Sequence, residues 1–206
     1  MTLRNKVKTD KEKQKNNIIK SAISVLSKKG FSKTTIEDIA QTAGIAKGLI
    51  YYYFNSKEEI LIESLEFIRG KMKDYVEKTT PEQINSFEKI RVRAKNILKF
   101  FSRNHEMFLV FIDQDQIKKH SRTYKQNLVK TFQSQIKNQK DLFSEALQDR
   151  LIKPGADPES LAIMLFSMLN MFISYSIISG KKMNPEKIFH QIDIYFLQNL
   201  KSTGAE

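Results

Sequence analysis

Apolar positions recur along this chain at intervals of three and four, the spacing of helices that bury one face. Over residues 10–28 the stripe is Ile18, Ile19, Ala22, Val25 and Leu26, with Gly30 as the stop after Lys28 and Lys29. Cations near a helix C-terminus favour the dipole, and a glycine there can turn left-handed. Thr35-Ile36-Glu37-Asp38 reads as the capped start of a second helix, about nine residues long, whose apolar face is Ile36, Ile39, Ala40 and Ala43. Asp38 is a shorter stand-in for the Glu of a capping box. After the turn Gly44-Ile45-Ala46 comes a third short helix, in which Ile45, Ile50 and Phe54 can face a core. Lys47, Gly48, Leu49, Tyr51 and Tyr52 are left on other faces, and Tyr53 lies at the core edge.

The pattern then lengthens. Ser56 can cap a helix over 57–78 that carries Ile60, Leu61, Ser64, Leu65, Ile68 and Met72, and Thr79-Thr80-Pro81 breaks it. Further helices are expected at about 86–102, 105–116 and 124–149. Asp157-Pro158 and Asn184-Pro185 each pair an N-cap with a proline at the first helical position, starting helices at about 157–179 and 185–200. Both are apolar around much of their circumference, more than one small domain can hide. Packed against their copies they would build a four-helix interface of obligate type. The stretch 161–179 carries no charge and approaches the length of a membrane span, but its serines and Asn170 favour burial against a partner.

Composition narrows this picture. Only 7 Gly and 4 Pro occur in 206 residues, too few for the turns of a barrel or sandwich, so the class is all-α. The net charge is +12, which points to a polyanion, nucleic acid or anionic membrane. Residues 1–57 hold 12 Lys and Arg against 4 Asp and Glu, so two thirds of that charge lies in the first quarter. Residues 1–15 are rich in lysine without apolar periodicity, a frayed terminus or an arm for phosphates. With no cysteine there is no thiol nucleophile or thiolate metal site. No apolar run precedes Ile18, so no secretory leader is expected. His105, His120 and His190 fall in separate segments, and Asp113 and Asp115 are two apart, pointing to different sides of a helix. No catalytic residue, metal site or cofactor is expected.

Two short helices across a glycine turn, in the most basic part of the chain, form a helix-turn-helix. The residues Gly30-Phe31, Thr34–Ala40, Ala43-Gly44-Ile45, Lys47–Phe54 and Ser56–Leu61 resemble the DNA-binding domain of TetR-type transcriptional regulators. Two positions depart from that pattern. Ala46 stands where a capping Ser or Thr is usual, at a cost of about 1 kcal/mol. Leu49 replaces a small, often hydroxylated residue and can touch a thymine methyl.

The expected fold is all-α with about nine helices. A basic arm (1–9) leads into a three-helix helix-turn-helix domain (10–56, motif about 35–54). A helical regulatory domain (57–206) follows, with linker helix 57–78 and dimerisation helices at about 157–179 and 185–200. The resemblance implies a cytoplasmic homodimer on a double-stranded, pseudo-palindromic operator, acting as a repressor and released by a small, largely apolar effector. The DNA-binding residues would be Thr35, Lys47, Gly48, Leu49, Tyr51, Tyr52 and Lys57. Lys57 opens a helix where the dipole disfavours a cation, which suggests a phosphate contact. The implied effector site lies in the C-terminal half, with His105, Phe108, Phe111, Tyr124, Met164, Met168 and Phe172 as candidates. Two other readings are a DNA-binding regulator without an inducer, as an activator or partner-controlled, and a basic helical protein of the membrane surface.

Overall fold

The structure, a computed structural model, describes residues 3–112 and 122–202, without the side chains of 3–9, 112, 122–125, 127, 128 and 131. Among the described residues there are nine helices and no strand: α1 (Leu3–Lys33), α2 (Ile36–Ala43), α3 (Lys47–Tyr53), α4 (Lys57–Thr79), α5 (Ser86–Arg103), α6 (His105–Ile112), α7 (Arg122–Gln148), α8 (Pro158–Ile178) and α9 (Pro185–Ile192). A π-helical segment, Asp193–Leu197, and a last turn, Gln198–Leu200, continue α9. The chain forms two compact units, Met1–Gly70 with Glu106–Lys125, and Lys71–His105 with Gln126–Glu206.

In the first unit, α1 packs on α2 and α2 on α3. Their buried faces are those the periodicity marks: Ile18, Ala22, Ile39, Ala40, Ile50 and Phe54, joined by Ile60, Leu61 and Ile68 of α4. The first helix starts earlier than the apolar stripe predicts, at Leu3 rather than about residue 10. Lysine, arginine, glutamine and glutamate favour helix intrinsically, and extending an existing helix needs no apolar stripe. At the other end Gly30 breaks the helical path with φ 73°, a conformation open to glycine, and lets Phe31 turn inward to a buried position.

In the second unit, α5 packs against α8 and α9. Asn85, Asp157 and Asn184 cap α5, α8 and α9, each accepting a backbone N–H three residues on at 2.8–3.0 Å. Arg91 forks onto Asp193 at the start of the π segment, with Nε and Nη2 donating to its two oxygens at 2.7 Å each. Arg91 also donates to Glu88. Burial pushes the Asp193 carboxyl up, but the bonds from Arg91 and Gln198 outweigh it and hold the group below its ordinary 3.8. The chain's end is pinned by an isolated bridge between Ile152 and Lys201, where the Lys153 N–H donates to the Leu200 carbonyl at 2.8 Å.

The helix α8 has two apolar sides. Leu161, Ala162, Leu165, Leu169 and Ile173 are buried. Ile163, Met164, Met171, Phe172, Tyr175 and Ile178 are exposed, with Met171 at 69% and Ile178 at 75%. By length and composition α8 is the one described helix that could cross a membrane, and about a quarter of it is buried within the protein.

Candidate nucleic-acid interface

The helix-turn-helix is set by local hydrogen bonding. Thr35 and Asp38 complete a reciprocal capping box: the Asp38 N–H donates to Thr35 Oγ1 at 3.1 Å, and the Thr35 N–H to Asp38 Oδ2 at 3.0 Å. The shorter acid thus closes the box. Asp38 also accepts from Lys29 Nζ at 2.7 Å, and this bond, followed by those with Thr35, lowers its pKa. At the far end of α2, Gly44 is left-handed (φ 67°, ψ 36°). The Ile45 N–H reaches back to the Ala40 carbonyl at 3.1 Å and the Gly44 N–H to Gln41 at 3.2 Å. This double bond pattern is a Schellman motif, which fixes the angle at which α3 leaves α2. The Ile45 side chain, which the sequence pattern faces to the core with Ile50 and Phe54, is half-buried.

On α3 the division of faces follows the sequence. Ile50 and Phe54 are buried, while Lys47, Gly48, Leu49, Tyr51 and Tyr52 are exposed. Tyr52, the most exposed of these aromatics at 66%, stacks edge-on with Tyr53 at 5.1 Å. Ala46 provides no side-chain cap, and only its carbonyl serves the first turn, accepting from Leu49 at 2.9 Å. The basic start of α1 comes to this surface, with Lys11 Nζ 5.0 Å above the Tyr52 ring.

Three features were not legible from spacing. The first is Glu37, which reads in the sequence only as an acid suited to a helix start. Its carboxylate accepts from Lys47 Nζ at 2.9 Å across the turn, and that bond and charge raise the lysine's pKa. The second is Lys11, seven residues before the apolar stripe begins at Ile18. The third is the setting of Lys57. Its ammonium donates to the carbonyls of Phe31 (2.8 Å) and Thr34 (2.9 Å) and sits 4.3 Å from the Phe31 ring centroid. The lysine that looked misplaced for the α4 dipole therefore staples α4 to the junction of α1 and α2. The ammonium that the sequence offered to a phosphate is thus engaged within the protein, by two carbonyls and one ring. The cap of α4 is Ser56, which accepts the Glu59 N–H at 3.1 Å.

The candidate effector residues are more scattered. His105 is exposed at the start of α6. Phe108 is buried and Phe111 half-buried, with ring centroids 6.3 Å apart. Met164, Met168 and Phe172 recur every four residues on one side of α8; Met164 and Phe172 are exposed and Met168 half-buried. The side chain of Tyr124 lies outside the described residues, as do Asp113, Asp115 and His120.

Residues 18–63 match the profile of bacterial regulatory proteins of the tetR family. The fatty acid metabolism regulator protein of Bacillus subtilis is 23% identical over 165 residues, spanning 80% of this chain and 84% of its own. The crystal structure of the regulator FadR from Bacillus subtilis in complex with stearoyl-CoA superposes with a TM-score of 0.71 at 21% identity, covering 85% of this chain and 96% of that one. That of AibR in complex with isovaleryl coenzyme A and operator DNA gives 0.71 at 18% identity, covering 87% and 95%. At this identity the structural likeness establishes a shared fold. With the capped α2, the Schellman turn and the two-faced α3 already in place, the match at 18–63 identifies this stretch as a helix-turn-helix domain of the type that the tetR family of bacterial regulatory proteins carries.

Proposed function

We propose that the chain is a homodimeric repressor that binds a pseudo-palindromic operator and leaves it when an acyl thioester of coenzyme A binds. The observation that carries the DNA reading is the two-sided α3, which buries Ile50 and offers Lys47, Leu49, Tyr51 and Tyr52. Seated in a major groove, Lys47 meets a base edge or phosphate, Gly48 lets the backbone come close, and Leu49 touches a thymine methyl. The Tyr51 and Tyr52 hydroxyls reach phosphates or bases, and Thr35 with Lys57 clamps the backbone on either side. Such DNA lies in the cytoplasm.

The dimer reading rests on the exposed apolar side of α8 together with Ile194 and Tyr195 beyond α9. A copy of the same surface would cover it, as an isologous two-fold contact requires. The ligand class is taken from the related proteins that carry coenzyme A thioesters. Release then needs the ligand to favour a state whose two α3 helices no longer match the half-site spacing, so it must bind the two states with different affinity.

The test is a fluorescence-anisotropy titration of the purified protein on the DNA upstream of its own gene, with and without a chain-length series of acyl-CoA. A high-affinity, salt-sensitive complex that one chain-length class weakens at least tenfold is the expected result. An operator complex indifferent to every acyl-CoA would leave a regulator controlled in another way. Binding to anionic liposomes with no sequence preference for DNA would replace the reading with that of a membrane-surface protein.

A further inference from the structure

The exposed carboxylate of Glu37 stands on a surface that should be wholly basic. The first 57 residues hold only four acids, and Asp38 already serves the start of α2 through its capping box. Glu37 makes no cap bond, and an acid in the first turn suits the helix dipole without needing to reach toward α3. Its side chain is 73% exposed, and its one described partner is Lys47, itself half exposed on the reading face of α3. An acid facing phosphates weakens general affinity for DNA, so a carboxylate here works against the charge around it unless it meets a donor.

Major-groove base edges supply such donors. Lysine suits guanine O6 and N7, and a glutamate accepts from the cytosine N4 amino group. In one G·C pair the O6 and N4 atoms are hydrogen-bonded to each other, so they lie about 2.9 Å apart. Lys47 Nζ and Glu37 Oε2 are 2.9 Å apart. The ion pair therefore presents a donor beside an acceptor at the spacing at which a G·C pair presents an acceptor beside a donor. An A·T pair also offers an amino donor and a carbonyl acceptor. There, however, the ammonium finds one acceptor with the thymine methyl beside it, where guanine gives it two.

We infer that Glu37 is a specificity-determining residue, and that Glu37 and Lys47 together read one G·C base pair in each half-site. This rests on the DNA-reading assignment of α3. Before binding, the carboxylate also holds Lys47 away from chance phosphates, which favours sequence reading over general attraction.

The experiment is selection from a randomised duplex library, followed by affinity measurements on the selected site and its single-base variants, for the wild-type dimer, E37Q and E37A. The wild type should prefer G·C over A·T at one position per half-site by roughly tenfold or more. E37A should lose that preference at that position alone, and E37Q should shift it toward adenine, whose N6 and N7 suit a glutamine. Circular dichroism and sedimentation should be unchanged for both, since Glu37 is a surface residue. Unaltered base preference in both variants would overturn the inference. So would a uniform rise in affinity for all duplexes, which would make Glu37 a simple repulsive charge. A wild type that selects no sequence at all would bring down the DNA-reading assignment with it.

Discussion

Two helices in this chain expose large hydrophobic side chains, and they do so for opposite chemistry. On α3 the exposed groups are Leu49, Tyr51 and Tyr52, among Lys47, Gly48 and the acid Glu37. Each tyrosine ends in a hydroxyl, and the surface is charged and narrow. On α8 the exposed groups are Ile163, Met164, Met171, Phe172, Tyr175 and Ile178, on a helix whose other side is also apolar. One surface suits a wet, polyanionic groove, where hydrogen-bonding ends matter and water bridges are common. The other suits a dry, close-packed contact, where thioethers and hydrocarbon matter. Exposure alone does not separate the two surfaces; the company of charge and hydroxyls around α3, against the run of hydrocarbon and thioether on α8 that only Tyr175 interrupts, does.

That contrast can be broken in several places. The largest effect is expected from Phe54→Ala, which empties a fully buried site under α3 and should cost about 3–5 kcal/mol. Thermal denaturation should show the loss, with operator binding falling alongside; an unshifted Tm would mean that α3 does not depend on its buried side. Met171→Asp should leave helicity intact and split the proposed dimer, at about 3 kcal/mol for an unpaired charge in a dry contact. Sedimentation equilibrium reads this directly, and an unaltered dimer would remove α8 from the interface. Lys57→Ala should lower stability by about 2 kcal/mol, since it takes away two charge-assisted bonds to the carbonyls of Phe31 and Thr34. If it also contacts phosphate, the slope of log affinity against log salt should drop by about 1; a normal slope with reduced stability would leave it a staple only. Tyr51→Ala and Lys47→Ala should each weaken the specific complex by about 1–3 kcal/mol while the dimer persists. Equal losses on unrelated duplexes would deny them base reading. The smallest change is Thr35→Ala, about 1 kcal/mol from the broken capping box, visible as a modest fall in Tm.

Sequence pattern carried most of the first unit because its signals are local. Thr35, Gly44 and Phe54 act on backbone within a few residues, and the caps Asp157 and Asn184 likewise mark their helices directly. What stayed hidden depends on residues far apart or departs from the side-chain pattern. The helical start at Leu3 lacks an apolar stripe to announce it. Ile45 shares the core spacing of Ile50 and Phe54 but is only half-buried at the turn. The ion pair of Glu37 with Lys47 spans the turn, and the bonds of Lys57 span more than twenty residues. The effector candidates suffered most, because an aromatic or methionine at helical spacing looks the same whether it packs a core, as Phe108 does, or faces outward, as Met164 does.

The small bridge between Ile152 and Lys201 has a consequence for how the molecule opens. It ties the two ends of a segment that contains all of α8 and α9, with Ile152 buried and the Lys153 amide bonded to Leu200. A segment closed at both ends cannot fray from the chain terminus inward one turn at a time. In native-state hydrogen exchange, the amides of α8 and of α9 should lose protection as a single cooperative block, and cutting the chain back to residue 199, which removes the Leu200 carbonyl and the Ser202 amide, should let α9 exchange ahead of α8.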